Sequence, residues 1–186
     1  MRIVGGQYRG RSLTAPSGDD TRPTTDRTRE SLFNILSHHP DVQLQGARVM
    51  DLFAGTGALG LEALSRGASA ALFVEMGSGA RGALRTNIHA LGAQGVAKIF
   101  RRDATDLGQV GTMKPFDLLF LDPPYGQGLA QKALASAAVG GWLVDGALAV
   151  VEEADEAHFD VPSGFQVLDE RRMGITRLRF LRFAVN

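Results

Sequence analysis

The sequence predicts an α/β domain built on a mostly parallel sheet. Three observations carry that expectation. From residue 48 onward, short apolar runs alternate with amphipathic stretches long enough for helices, the rhythm of βαβ units. The first run leads into a glycine-rich turn, Gly55-Thr56-Gly57-Ala58-Leu59-Gly60, that opens the next helix. Four of the runs carry an acid at or near their carboxyl end: Asp51, Glu75, Asp103 and Asp122. In open parallel sheets, ligands sit at those carboxyl ends.

Each element has a local reason. Residues 2–16, RIVGGQYRGRSLTAP, read as a short hairpin with turn chemistry at Gly5-Gly6 and Arg9-Gly10 and a stop at Pro16. Residues 17–25 are polar and loop-like. A helix is expected from about Asp26 to Ser37, with Leu32, Phe33, Ile35 and Leu36 on one face and Asp26 as its N-cap. Then come a strand at 48–53, a helix at 58–66, a strand at 70–75 and a helix at 78–91. A strand at 97–103 and a short polar helical piece follow. A strand at 116–122, an Ala-rich helix at 129–139 and a strand at 147–152 continue the alternation. The last two strands, 165–172 and 177–183, are joined only by Met173-Gly174-Ile175-Thr176. So short a connection makes a hairpin, and at least one of the two runs antiparallel. The chain divides into a hairpin-and-helix extension, 1–40, and an α/β domain, 41–186.

Bulk properties narrow the function classes. The 186 residues carry 20 basic and 20 acidic side chains, so net charge does not announce a nucleic-acid binder. The charge is uneven, however. Arg2, Arg9 and Arg11 precede any acid, and Arg171, Arg172, Arg177, Arg179 and Arg182 follow Glu170. These basic ends serve equally as phosphate-binding faces or as solvated edges. The absence of cysteine excludes disulfides, thiolate catalysis and cysteine-held zinc. The four histidines lack metal-ligand spacing, and no metal is expected. No apolar run reaches the roughly 20 residues of a membrane span. Residues 1–6 lack the apolar core of a signal peptide. A cytoplasmic protein without a membrane partner is expected.

The glycine turn and the acid ending the second strand point to a nucleoside cofactor. Gly55, Gly57 and Gly60 allow a sharp turn and close backbone approach. Glu75, 20 positions beyond Gly55, is placed to accept both ribose hydroxyls. Asp51, four residues before Gly55, would repel a pyrophosphate but suits an ammonium beside a sulfonium. S-adenosylmethionine carries both cations. Asp103 could serve the adenine edge with Ala104 against the ring; it serves as well to cap the following turn.

The stretch Asp122-Pro123-Pro124-Tyr125 supplies the chemistry. An exocyclic amine on a base is a poor nucleophile, because its lone pair is delocalised into the ring. The Asp122 carboxylate and the Pro123 carbonyl could each accept one of its N–H bonds. The nitrogen then pyramidalises, and its lone pair points at a sulfonium methyl. The two prolines stiffen the array. Tyr125 offers a face for a flipped base, worth ~1–3 kcal/mol.

These motifs, DPPY together with DxFAGTGxxGxE, resemble the amino-directed S-adenosylmethionine-dependent methyltransferases. The opening MRIVGGQYRGRSL and the block RPTTDRTRESLFNIL, Arg22 to Leu36, are similar to the bacterial 16S rRNA guanine-N2 methyltransferases of the RsmD type. The resemblance spans nearly the whole chain and is weaker after residue 130. It implies a Rossmann-like class I methyltransferase fold: a seven-stranded, mostly parallel sheet with a carboxyl-terminal antiparallel hairpin, preceded by an N-terminal β-hairpin and helix. It implies S-adenosylmethionine as donor. The implied substrate is 16S rRNA in the assembled small ribosomal subunit, beside nearby ribosomal proteins, and the chain is expected to act as a monomer.

Carried over residue by residue, Asp51, Ala54, Gly55 and Gly57 would hold the methionine part of the cofactor. Glu75 would take the ribose, with Met76 beside the adenine, and Asp103 and Ala104 the adenine edge. Asp122, Pro123 and Tyr125 would hold the target base. Arg22, Thr24, Asp26 and Arg29 look like lid or RNA-contact residues, although Arg22 and Arg29 could instead pair with Asp26 and Glu30. RNA binding would rest on Arg9, Arg11, the Arg22–Arg29 block and the closing strands. The tetrad itself serves adenine N6 and cytosine N4 as well as guanine N2. An adenine-N6 methyltransferase acting on RNA or DNA is therefore the competing reading. A protein-glutamine methyltransferase would more naturally carry Asn in place of Asp122. An NAD-dependent oxidoreductase is disfavoured by Asp51 and the tetrad.

Overall fold

The computed structural model describes residues 1–17 and 25–185. Seven strands form one sheet in the order β3-β2-β1-β4-β5-β7-β6. They are β1 (Arg48–Leu52), β2 (Ala70–Val74), β3 (Ala97–Phe100), β4 (Phe116–Leu121), β5 (Leu143–Ala154), β6 (Phe165–Met173) and β7 (Thr176–Phe183). β1 to β5 pair in parallel, and β7 runs antiparallel between β5 and β6. The expected parallel sheet and closing hairpin are both present. The chain builds outward from β1 to β3 on one side and restarts with β4 on the other. The order thus reverses between β1 and β4, which opens a crevice at their carboxyl ends.

Both faces of the sheet are covered. Helix α4 (Leu129–Val139) lays Ala130, Ala133, Leu134 and Ala137 against Met50, Leu52, Leu119 and Leu121. On the opposite face, α1 (Asp26–His38) packs Leu32, Phe33 and Leu36 against Val49, Phe120 and Phe180. Phe33 and Phe120 meet with ring centroids 5.6 Å apart. Helices α2 (Ala58–Ser65) and α3 (Ser78–Ala90) pack on Ala71 and Phe73.

The amino-terminal segment belongs to the same cores. Its hairpin is minimal: one antiparallel bridge, Arg2 to Ser12, helped by Ile3 N–H to Arg11 C=O at 3.0 Å and Gly10 N–H to Ile3 C=O at 2.8 Å. Ile3 and Leu13 are buried with Leu61, Leu64 and Phe73. The segment is then fixed by side chains of the following helices. Fully buried Glu62 accepts from Val4 N–H at 3.0 Å and Gly5 N–H at 2.8 Å. Asn87 accepts from Thr14 N–H and donates to Thr14 C=O and Thr56 C=O. At Gly6 (φ +76°) a Cβ would fall 1.9 Å from the Ser65 carbonyl oxygen, so only glycine permits this approach.

Three local expectations are corrected. The N-cap of α1 is Thr25, whose side chain accepts from Thr28 N–H; Asp26 is the first helical residue and accepts from Arg2 N–H instead. The polar piece after β3 is not helical. Gly108 and Gly111 adopt φ of +71° and +66°, and Leu107 turns inward with its N–H on Ser136 Oγ. β5 begins at Leu143, four residues early, because Asp145-Gly146 forms a bulge within the strand rather than a terminal turn. The register with β4 jumps from Phe116–Leu143 to Leu118–Leu148 there.

Candidate active site

The crevice gathers the predicted acids. Asp51 lies on β1 beside Phe120 of β4, and Glu75 and Asp122 immediately follow β2 and β4. Asp51 is 2% exposed, and its Oδ2 accepts from Gly60 N–H at 2.9 Å. Burial pushes its carboxyl well above the usual range. The Gly60 bond opposes the shift, while the charges of Asp122 and Glu75 add to it. A cation beside Asp51 would offset both its burial and its neighbours' charge.

Glu75 ties two loops together: Oε2 accepts from Gly55 N–H and Oε1 from Gly77 N–H, both at 2.8 Å. Gly77 is the N-cap of α3, so a single carboxylate organises the glycine turn and the start of the next helix. The glycines divide by role. A Cβ on Gly57 would lie 2.3 Å from Leu84 Cδ1, and one on Gly60 would lie 2.4 Å from Phe73 Cε1. Those two glycines serve packing. A Cβ on Gly55 (φ +57°) meets no atom within 4 Å, so its backbone is open to a ligand. Ala54 is buried and donates its N–H to Val74 C=O. Phe53, between the acid and the glycines, holds a left-handed φ of 59°, costing about 1–2 kcal/mol for a side chain with a Cβ.

The adenine-edge candidates lie at the ends of β2 and β3. Met76 is exposed, and its carbonyl accepts from Arg81 Nη1. Ala104 is buried. Asp103 is exposed; its Oδ1 accepts from Thr105 Oγ1 at 2.7 Å and Thr105 N–H at 2.8 Å. Those bonds, the hydroxyl first, hold its carboxyl below the usual range. The turn-capping alternative for Asp103 is thus realised in this structure.

On the other side of the crevice, Pro123 is buried and Pro124 exposed. The Tyr125 hydroxyl donates to Glu152 Oε1 at 3.0 Å, and Gly126 N–H donates to Glu153 Oε1 at 3.0 Å. Sequence reasoning misses Glu152 and Glu153 as site residues. The available signal is two consecutive acids closing an apolar strand, Val150-Val151-Glu152-Glu153.

The basic candidates separate. Arg9 is exposed on the hairpin, and Arg11 Nη2 donates to Ala90 C=O at the end of α3. Arg22 and Thr24 lie outside the described residues. Arg29 is corrected from surface contact to internal strut. It is fully buried, paired with Asp26 at 2.6 Å and bonded to Arg2 C=O. In the closing strands, the arginines are paired with acids. Arg171 pairs with Asp169, Arg172 and Arg177 with Asp155, Arg179 with Glu170, and Arg182 with Asp41. A groove of about 380 Å³ at the opposite end of the sheet is lined by Asp41, Asp117 and Asp145 and takes no part in the crevice.

No group of three or more potential metal ligands occurs among the described residues, and none of their helices is long and apolar enough to cross a membrane. The crevice offers an acid raised by its burial and then by its neighbours, an open glycine backbone and a bridging carboxylate. That set fits a cationic ligand carrying a ribose.

Residues 1–182 match a protein-family model described as conserved hypothetical protein 95. Ribosomal RNA small subunit methyltransferase D of Escherichia coli (strain K12) is 41% identical over 176 residues, 94% of this chain and 85% of that protein. Its counterpart in Haemophilus influenzae is 34% identical over 181 residues, 96% of this chain and 92% of that protein. The solved structure of yhhF from Escherichia coli superposes with a TM-score of 0.83 at 34% identity, covering 100% of this chain and 99% of that one.

Proposed function

The chain belongs to the ribosomal RNA small subunit methyltransferase D family, and we propose that it methylates the exocyclic N2 amine of a guanine in 16S rRNA within the assembled small ribosomal subunit. Its fold is the Rossmann-like class I methyltransferase fold, and S-adenosylmethionine is the donor. The observation that carries the reading is the tetrad Asp122–Tyr125 at the end of β4, one strand away from the buried carboxylate of Asp51.

When bound, the cofactor supplies an electrophilic methyl on a sulfonium. Asp51 would face its cationic end. Glu75, which already holds Gly55 N–H and Gly77 N–H, would take the ribose hydroxyls. Met76 and Ala104 would hold the adenine, with Asp103 for its edge. Asp122 and the Pro123 carbonyl would accept the two N–H bonds of the target amine and turn its lone pair toward the methyl. The methyl would pass from sulfur to nitrogen, leaving a neutral thioether, and Asp122 would take the surplus proton from the nitrogen. Tyr125 supplies the stacking face. The rate gain comes from orientation and charge placement, without a covalent enzyme intermediate.

RNA binding rests on the exposed hairpin with Arg9 and Arg11 and on the segment containing Arg22 and Thr24. The substrate is recognised as a folded ribonucleoprotein surface by a monomer.

The test is transfer of labelled methyl to unmethylated small subunits, naked 16S rRNA and duplex DNA in parallel, with nucleoside analysis. N2-methylguanosine, chiefly in assembled subunits, is expected. Methyladenine, or a preference for DNA, would replace the guanine reading with the adenine-N6 one.

A further inference from the structure

We infer that Glu152 and Glu153, at the carboxyl end of β5, are positioning residues that hold the Tyr125–Gly126 corner of the tetrad against the target base. The inference rests on the tetrad's being the base-binding element.

Successive residues of a strand point to opposite faces. Here, at the strand's end, two neighbours serve the same loop through different atoms. Glu152 Oε1 accepts from the Tyr125 hydroxyl at 3.0 Å. Glu153 Oε1 accepts from Gly126 N–H at 3.0 Å and from Ala154 N–H at 2.8 Å. Leu121 pairs with Val151, so Asp122 and Glu152 are the next residues along adjacent strands. The β5 acids are 8% and 2% exposed. Burying two carboxylates at a strand end is expensive, and apolar residues would pack there at lower cost. Their bonds say what they serve. One anchors the far end of the tyrosine side chain, and the other fixes the backbone at Gly126, where φ is +73°. A stacking side chain held at both hydroxyl and backbone has less positional freedom to lose when the base binds.

The chain has two tyrosines, so 3-fluorotyrosine labelling yields two fluorine resonances, and Tyr8→Phe assigns them. Glu152→Ala should shift or broaden the Tyr125 resonance, while Glu152→Gln, which keeps an acceptor oxygen, should largely restore it. In methyl transfer, Glu152→Ala should lower kcat about tenfold, with cofactor Kd within about twofold. Tyr125→Phe should lower it similarly, and the double variant Tyr125→Phe/Glu152→Ala should be no worse than either alone. A Tyr125 resonance unmoved by Glu152→Ala, or additive losses in the double variant, would overturn the inference. The fluorine spectrum does not depend on methyl transfer, so a wrong substrate assignment leaves this test standing. Tyr125→Phe removes only a hydroxyl and keeps the cycle interpretable if Glu152→Ala lowers the melting temperature.

Discussion

The two halves of the crevice are put together differently. On the β1–β2 side, carboxylates are bonded to backbone N–H groups of nearby loops: Asp51 to Gly60, Glu75 to Gly55 and Gly77. The partners lie 9, 20 and 2 residues apart. On the β4–β5 side, the tetrad is held by Glu152 and Glu153, each 27 residues from its partner across a whole βαβ unit. On the proposed function, the first half binds the cofactor and the second positions the target base. Damage to the first should appear in binding, and damage to the second in turnover.

The sharpest break would come at Asp122. Asp122→Ala should reduce turnover on the order of 10³-fold and leave cofactor affinity within a few fold. Methyl-transfer kinetics beside calorimetric titration of the cofactor measure both, and equal losses would make Asp122 a cofactor ligand. Next in size is Asp51→Asn, expected to weaken cofactor binding by about 10- to 100-fold while turnover at saturation falls far less. This side also carries a pH signature. The free protein holds the Asp51 carboxyl above its usual range, so it favours the protonated acid. A cationic cofactor favours the ionised form. Binding should therefore release a proton, and affinity should rise with pH until the raised pKa is passed. Calorimetry in buffers of different ionisation heat reads the proton release, which Asp51→Asn should abolish.

A smaller effect separates the glycines. Gly60→Ala should cost about 1–3 kcal/mol of stability, because its Cβ runs into Phe73. Gly55→Ala should cost only about 1 kcal/mol, for its left-handed backbone, with the greater loss in cofactor affinity. Chemical denaturation and cofactor titration of the two variants sort the roles. The smallest contrast is between basic ends. Arg9→Glu with Arg11→Glu should weaken RNA binding several-fold. It should also flatten the logarithmic salt dependence by about one unit of slope for each phosphate no longer neutralised. Arg171→Glu, already paired with Asp169, should change RNA binding less. Binding isotherms across a salt series would show it, and equal effects would return the closing strands to the RNA face.

The asymmetry between the halves also explains what the sequence discloses. Bonds spanning 2 to 20 residues leave a motif, and the glycine turn, Asp51 and Glu75 are legible for that reason. The tetrad is legible because Asp-Pro-Pro-Tyr is chemically odd at a strand end. Glu152 and Glu153 are not, since two acids after an apolar strand look like a solvated exit until the tetrad is seen to lie over them. Arg29 is misplaced on similar grounds. Its burial depends on a carbonyl 27 residues earlier, which no helical periodicity reveals. The charge of the last two strands misleads because pairing brings in Asp41 and Asp155. The alternation of elements survives all of this, since apolar periodicity averages over many residues. Its failures are local: a bulge at Asp145-Gly146 and a polar turn at Gly108.

Glu62 has one more consequence, for the order in which the molecule assembles. The hairpin at the start of the chain grips side chains of Glu62 and Ser65, 57 to 58 residues onward, and Asn87, 73 residues onward. During synthesis, this hairpin therefore cannot dock until Asn87 has been made, near the middle of the 186 residues, whereas α1 must wait for Phe180 and β5 for β7. It can settle with the β1–β2 half of the sheet, before the closing strands exist.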